Sequence, residues 1–205
     1  KTDKELVHCY IPVLQSHGIT VTPCVKDENG CCIHEIKADF ATHTFSKFYV
    51  KNVVALIKER ASFVKEFWDI APYLFIAPSE FEAFGVKAGA ANAKPADPRA
   101  ADPRAKVYDD AATAPFLAKD VDKFWKPEHS SQAAEAAAFV CAMEGDFTKE
   151  SIEAALEGYI REKEWPMGKV MNCLRLALTG ASSGLGIADI VSFIGREQFA
   201  ARMEY

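Results

Sequence analysis

Three glycines towards the C-terminal end of the sequence have a spacing that suits nucleotide binding. The stretch LRLALTGASSGLGIADI, residues 174–190, contains Thr179 and Gly180 followed by Gly184 and Gly186. Glycines at such positions let the backbone approach a phosphate closely, and a helix that starts after them offers N–H groups to an anion. The binding of a dinucleotide at this turn is therefore the first chemistry to consider.

The surroundings of these glycines argue against a dinucleotide. A dinucleotide fingerprint needs a β-strand that leads into the turn, with further strands beside it. The preceding residues, KVMNCLRLAL, repeat their apolar positions at helical steps and contain one β-branched residue, Val170. The residues after Gly180 leave no room for further strands, and the Tyr-x-x-x-Lys pair of a short-chain dehydrogenase is absent. We therefore expect a helix, a turn and a helix here, without such a cofactor.

A second group of residues could bind a metal. Four potential ligands fall within eleven positions: Cys24, Cys31, Cys32 and His34. Zinc sites usually pair their ligands as C-x(2–4)-C on two separate knuckles, and this spacing differs. Small apolar cysteines that flank a turn at residues 29–30 are the favoured interpretation, and zinc stays the alternative.

Two arginines could contact an anion or a base. Arg175 is flanked by leucines, so it lies near a buried surface, where a guanidinium needs a carboxylate partner or an anionic ligand. Arg60 lies in a basic, amphipathic segment. On the residues alone, Arg60 is favoured as a solvent-facing side chain that pairs with Glu59 or Glu66.

Helical patterns position these residues. Thr2 and Glu5 form a capping-box pattern at the start of a helix over residues 2–15, which His17 and Gly18 end. Residues 46–68 predict a long amphipathic helix, or two helices joined near residues 61–62, with Phe63 among the apolar positions. Further helices are predicted at Pro115–Trp125, His129–Met143, Thr148–Lys163, Met167–Leu178, Ile187–Ile194 and Arg196–Met203. Strand-like alternation is weak, so the predicted fold class is all-α.

The organisation of the chain follows from composition. Residues 85–106 contain the duplicate ADPRA-ADPRA, with three prolines and little to bury, which indicates a linker or insertion. We predict a first helical lobe at residues 1–84, a linker at 85–110 and a second helical lobe at 111–205. The 205 residues carry a net charge of -5 and contain neither a membrane-span pattern nor a signal peptide. A cytoplasmic location with reduced cysteines is expected, and the first residue, a lysine, suggests a piece of a longer protein.

Several stretches resemble one enzyme family. GKVMNCLRLALTG, followed by a glycine turn and IADIVSFIGREQFAARMEY, is similar to the C-terminal end of bacterial glutamyl-tRNA synthetases in order and spacing. VVALIKERASFVKEFWDIAPYLF and KTDKELVHCYIPVLQSHGI resemble upstream segments of the same family. The sequence departs from the family pattern at Cys173 and Leu185, where the family has Pro, and at Ala188, where an aromatic residue is common.

This resemblance implies the C-terminal anticodon-binding region of a class I glutamate–tRNA ligase, a two-lobed α-helical bundle described as an α-helix cage. The expected partners are glutamate tRNA and an upstream catalytic domain of the same protein, with no DNA and no membrane. That domain would use ATP and Mg²⁺. The present sequence shows neither a H-I-G-H-like nor a K-M-S-K-S-like segment, so no catalytic residue, cofactor or metal is expected in it. The alternative is a helical protein-interaction scaffold that does not bind RNA.

The resemblance also implies RNA-binding residues. Arg60 falls on the position thought to read the third anticodon base, and Arg175 falls near the first base. The other implied contacts are Lys169, Ser183, Gly184, Gly186 and Ile187.

Overall fold

A computed structural model of the chain describes residues 2–26, 28–29, 32–33, 37–86 and 118–203. These residues divide into two compact units, residues 2–76 and residues 77–86 with 118–203. The ADPRA duplicate and most of the predicted linker at 85–110 lie outside the described residues, so the predicted lobe boundaries stay a prediction. No described helix is long and apolar enough to cross a membrane.

The first unit begins with α1, Asp3–Ser16, and the predicted capping box is present. The Thr2 hydroxyl accepts from the Glu5 N–H at 3.4 Å, and the Glu5 carboxylate accepts from the Thr2 N–H at 2.8 Å. The helix ends before Gly18, whose φ of 81° lies in the left-handed region that glycine adopts at low cost. The helix predicted for residues 2–15 is therefore confirmed.

Five short strands follow α1, and the sequence analysis did not predict them. They are β1 Thr20–Thr22, β2 Val25–Lys26, β3 Cys32–Ile33, β4 Ala38–Asp39 and β5 Thr44–Ser46. Strand β5 pairs with β1 in parallel and with β4 in antiparallel orientation, whereas β2 and β3 form a separate antiparallel pair. Strands of two or three residues are too short to show an alternating pattern. The described part of the chain is nevertheless mostly helical, as predicted.

The segment after β5 forms two helices rather than one. α2, Lys47–Ile57, is capped by Ser46, whose hydroxyl accepts from the N–H of Tyr49 at 3.1 Å. A 3-10 turn at Lys58–Arg60 follows, the backbone becomes extended at Ala61, and α3 covers Glu66–Ile70. The alternative with a joint near residues 61–62 is thus confirmed. Aromatic rings from α1, β5, α2, α3 and the residue after a 3-10 turn at Pro72–Leu74 fill the core of this unit: Tyr10, Phe45, Tyr49, Phe67, Trp68 and Phe75.

The described part of the second unit contains a 3-10 turn at Pro78–Glu80 and six helices. These helices are α4 Ala118–Phe124, α5 Pro127–Ala142, α6 Lys149–Glu162, α7 Met167–Thr179, α8 Ile187–Ile194 and α9 Arg196–Met203. Their bounds agree with the predicted helices within about two residues, except that residues 115–117 of the first lie outside the described residues. Buried alanines on one face of α5 let it pack against α7 and α9.

A polar cluster joins α5 to α6. The Tyr159 hydroxyl donates to a carboxylate oxygen of Glu135 at 2.7 Å, and the Lys163 ammonium lies 3.0 Å from the same oxygen. The hydrogen bond from Tyr159, followed by the interactions with Lys163, holds the pKa of Glu135 below its usual value. Folding therefore favours the ionised form of the Glu135 carboxylate.

Candidate nucleic-acid interface

The glycine turn connects two helices, α7 and α8, as the sequence analysis predicts. α7 ends at Gly180, which has φ 70° and ψ 9° and is therefore left-handed. The Thr179 hydroxyl accepts from the Ala181 N–H at 3.2 Å, which fixes the start of the turn. Gly184 has φ 141°, a conformation that other residues rarely adopt. Both glycines are therefore required by the path of the backbone, independently of any ligand.

Arg175 fastens this turn to α7. Its side chain is half-buried, and its Nη1 donates to the main-chain carbonyl of Leu185. A carbonyl oxygen within the protein thus accepts one hydrogen bond of Arg175, and the expected carboxylate partner or anionic ligand stays a prediction. A guanidinium carries five N–H donors, and this contact uses one of them. Arg175 therefore has a structural contact whether or not RNA binds.

The start of α8 offers little of Ile187 to a ligand. Gly186 is the residue before the helix, and Ile187 is its first residue. Ile187 as a whole is only 3% exposed, so neither its side chain nor its backbone offers a ligand much surface. Ser183 is the exposed side chain of the turn. Of the implied contacts, Ser183, Gly184, Gly186 and Ile187 thus lie on one short segment.

An acidic residue lies beside the start of α8. One carboxylate oxygen of Asp189 forms an ion pair with the Lys149 ammonium at 2.8 Å, and the other would lie 2.5 Å from a Cβ at Gly186. The hydrogen bond with Asp189 also raises the pKa of Lys149. A carboxylate, itself paired with Lys149, therefore already lies near the positive end of the helix.

Lys169 lies apart from that turn. It is exposed in the first turn of α7, six residues before Arg175. At 3.6 residues per turn and 1.5 Å per residue, six residues correspond to roughly 9 Å along the axis and about 120° around it. The two side chains therefore leave the helix on different sides, and Lys169 is not part of the surface at the turn.

Arg60 belongs to the first unit. It is the last residue of the 3-10 turn that follows α2, and its side chain is exposed. Just beyond it, one carboxylate oxygen of Glu66 accepts from the N–H groups of Ser62 at 2.8 Å and Phe63 at 3.0 Å. Nearby, Lys58 forms an ion pair with Asp3 at 2.8 Å. The charge of Lys58 is therefore compensated within the protein, whereas Arg60 lies exposed at the end of the 3-10 turn.

Phe63 lies outside the helices of this segment. The sequence predicts it among the apolar positions of an amphipathic helix, but it is 64% exposed. The reason is the break between α2 and α3, which removes Phe63 from the helical repeat that buries Phe67.

The considered zinc site is tested only in part. Among the described residues, no three His, Cys, Asp or Glu side chains lie together in a way that could hold a metal ion. Cys31 and His34 of the considered zinc group lie outside the described residues.

A family model described as "Anticodon binding domain" matches residues 33–205. Among curated proteins, a glutamate–tRNA ligase of Bacteroides fragilis is 28% identical over 204 residues, which is 100% of this chain and 28% of that protein. A glutamate–tRNA ligase of Christiangramia forsetii is 33% identical over 170 residues, covering 83% of this chain and 25% of that protein. The chain thus spans less than a third of the length of these relatives.

The fold also resembles solved structures. A glutamate tRNA ligase from Elizabethkingia meningosepticum, solved in complex with its amino acid, matches with a TM-score of 0.61 and 21% identity. A glutamate-tRNA synthetase from Elizabethkingia anophelis matches with a TM-score of 0.56 and 19% identity. Each match covers 100% of this chain and 28% of the solved chain. At these identities the likeness supports the arrangement of helices.

Proposed function

Because the chain belongs to the anticodon-binding domain family, we propose that it binds the anticodon loop of a glutamate tRNA. The relatives named as glutamate–tRNA ligases support this choice of tRNA. In the proposed whole protein, a catalytic domain upstream attaches glutamate with the use of ATP and Mg²⁺, and this chain positions the tRNA for it. The observation that carries the proposal is the family match over residues 33–205.

Arg60 is the proposed reader of the third anticodon base. Its exposed guanidinium stands at the end of a 3-10 turn. Unpaired bases of an RNA loop are recognised by hydrogen bonds to their Watson–Crick edges. Cytosine, the third base in glutamate tRNAs, offers its O2 and N3 acceptors to a guanidinium. Guanine in the same place would present N–H donors to it, so Arg60 would also reject a glutamine tRNA.

The turn between α7 and α8 is the proposed contact for the first anticodon base. Arg175 holds the carbonyl of Leu185 and thereby supports the segment that contains Ser183 and Gly184. The exposed hydroxyl of Ser183 and the backbone at the two glycines would face the base. Arg175 thus acts at least in part by positioning the turn. Lys169, on another side of α7, would contact a phosphate.

The net charge of -5 is compatible with this function. Affinity for RNA depends on a local basic surface rather than on the sum over the whole chain. Between residues 46 and 68, five lysines and arginines stand against two glutamates. The proposed RNA surface of the first unit is therefore locally basic.

Binding of unmodified glutamate tRNA transcripts, measured over a range of salt concentrations, tests the proposal. We expect salt-dependent binding that becomes about tenfold weaker when the third anticodon base is changed from C to G. Arg60→Ala should weaken binding and remove this preference, because it removes the reader of that base. Arg161→Ala is the matched control, since Arg161 is 77% exposed and its nearest carboxylate oxygen, on Glu157, is 3.9 Å away.

Binding that ignores both the third base and Arg60→Ala would refute the anticodon role. Absence of salt-dependent binding would leave the helical protein-interaction scaffold as the better explanation of the chain.

A further inference from the structure

We infer that Phe63 is a stacking platform for an unpaired base of the anticodon loop, next to the base that Arg60 contacts. This inference rests on the proposed function and adds a residue to which the proposal assigns no role. It starts from the exposure of the Phe63 ring, because phenylalanine side chains are usually buried.

The exposure of Phe63 stands out within the described residues. Its side chain is 64% exposed, whereas Phe67, four residues later, is 2% exposed. Phe139 is the other large hydrophobic residue in the described ranges that is exposed, at 43%. The ring of Phe139 is already stacked on Tyr159, with centroids 4.2 Å apart and planes 17° apart. In the described parts of the chain, no aromatic ring lies against Phe63, so its face is available to a ligand.

The backbone holds Phe63 in place. Its N–H donates to the carboxylate of Glu66 at 3.0 Å, and its carbonyl accepts from the N–H of Glu66 at 3.0 Å. The N–H of Ser62 donates to the same carboxylate oxygen at 2.8 Å. A side chain on a loop fixed in this way loses little further backbone freedom on binding, and such preorganisation favours affinity. The exposed ring is therefore not at the tip of an unsupported loop.

Its neighbours have the charges that suit single-stranded RNA. Arg60 lies three residues before Phe63 and Lys65 two residues after it, and both side chains are exposed. The Cα atoms of residues 60 and 63 are at most about 11 Å apart, since a chain extends by no more than about 3.6 Å per residue. Basic side chains interleaved with an exposed aromatic ring are the combination by which proteins bind unpaired nucleotides. A phenyl ring has two faces and no hydrogen-bonding group, so the contact would be stacking without base selectivity.

Four variants at position 63 test this inference against the same tRNA transcript: Phe63→Ala, Phe63→Leu, Phe63→Tyr and Phe63→Trp. Stacking of one base on an aromatic residue corresponds to a loss of roughly 5-fold to 150-fold in affinity on substitution by alanine. We expect Phe63→Ala and Phe63→Leu to weaken binding by at least 5-fold, and Phe63→Tyr and Phe63→Trp to keep it. Phe139→Ala is the control for loss of an exposed phenylalanine, and its affinity should be unchanged.

Two further readouts separate stacking from other effects. The slope of log affinity against log salt should be the same for Phe63→Ala as for the unmodified chain, because no phosphate contact is lost. Lys65→Ala should instead make that negative slope shallower by about 0.7 if Lys65 neutralises one phosphate. A fluorescent 2-aminopurine in the anticodon loop should be quenched on binding to the unmodified chain and less so with Phe63→Leu. Equal melting temperatures of the variants would show that folding is intact.

The possible failures are distinguishable. If Phe63→Ala binds tRNA as well as the unmodified chain while Arg60→Ala does not, the stacking inference is wrong and the anticodon role stands. If Phe63→Leu binds as well as Phe63→Tyr, the ring is not stacking on a base. If the unmodified chain does not bind tRNA, both proposals fail.

Discussion

We predict that the hydrogen bond between Arg175 and the carbonyl of Leu185 stabilises the folded chain even when no RNA is bound. Arg175→Met keeps most of the aliphatic side chain but removes every side-chain N–H donor. The carbonyl of Leu185 then loses a charged donor in a place where the Leu185 side chain is 3% exposed. Hydrogen bonds to charged groups contribute about 1.5–3 kcal/mol. The lower end, about 1.5 kcal/mol, applies here, since Arg175 is half-buried and water can replace part of the contact.

Urea denaturation followed by circular dichroism measures this effect. With a dependence on urea of about 2 kcal/mol per molar, the midpoint of unfolding should fall by about 0.7 M. Arg161→Met is the matched control, because that side chain is 77% exposed and its ion pair with Glu157 is long, at 3.9 Å. Exposed ion pairs contribute about 0–1 kcal/mol, so the control midpoint should hardly move.

Hydrogen exchange adds a local readout to the same variant. If Arg175 fastens the turn, the amides of residues 183–187 should exchange faster in Arg175→Met, while amides in the middle of α6 should not. A variant with an unchanged midpoint, an unchanged urea dependence and unchanged exchange in the turn would show that this hydrogen bond does not support the turn. The positioning role assigned to Arg175 would then be wrong.

Two other predictions concern backbone strain and pH. Gly184→Ala should lower the free energy of unfolding by about 1–3 kcal/mol, because φ is 141° at this residue. Gly158→Ala is the control: it lies in open space within α6 and should raise the free energy of unfolding by about 0.5–1 kcal/mol. Equal effects of the two substitutions would contradict a strained backbone at residue 184. The lowered pKa of Glu135 means that its contribution to stability is present above the unfolded pKa of about 4.3 and is lost as pH falls through the folded value. Glu135→Gln should therefore flatten the fall of the urea midpoint between about pH 5 and pH 3, and an unchanged fall would exclude Glu135 as its source.

The helices were predictable from the sequence because their signals are local. Thr2 with Glu5, and Thr148 before α6, cap helices within the same four residues that reveal them. The pairing of β1 with β5 was not predictable, since it joins residues more than twenty positions apart through strands of three residues. The exposure of Phe63 also escaped prediction, because it depends on where one helix stops and the next begins.

The site was predictable only as a set of positions. The family resemblance singled out Arg60, Lys169, Arg175 and residues 183–187, and their roles with RNA stay predictions. The partner of Arg175 could not be found from the sequence. Its acceptor is a main-chain carbonyl, which every residue possesses, so the residue type at position 185 does not predict the contact.

That same hydrogen bond bears on how this turn can change during evolution. Arg175 contacts the carbonyl of residue 185 and not its side chain, and proline and leucine both carry a carbonyl. A lineage can therefore exchange the proline usual in this family for the leucine found here without losing the link to α7. Selection at this point should act strongly on the arginine and only loosely on the residue that it holds.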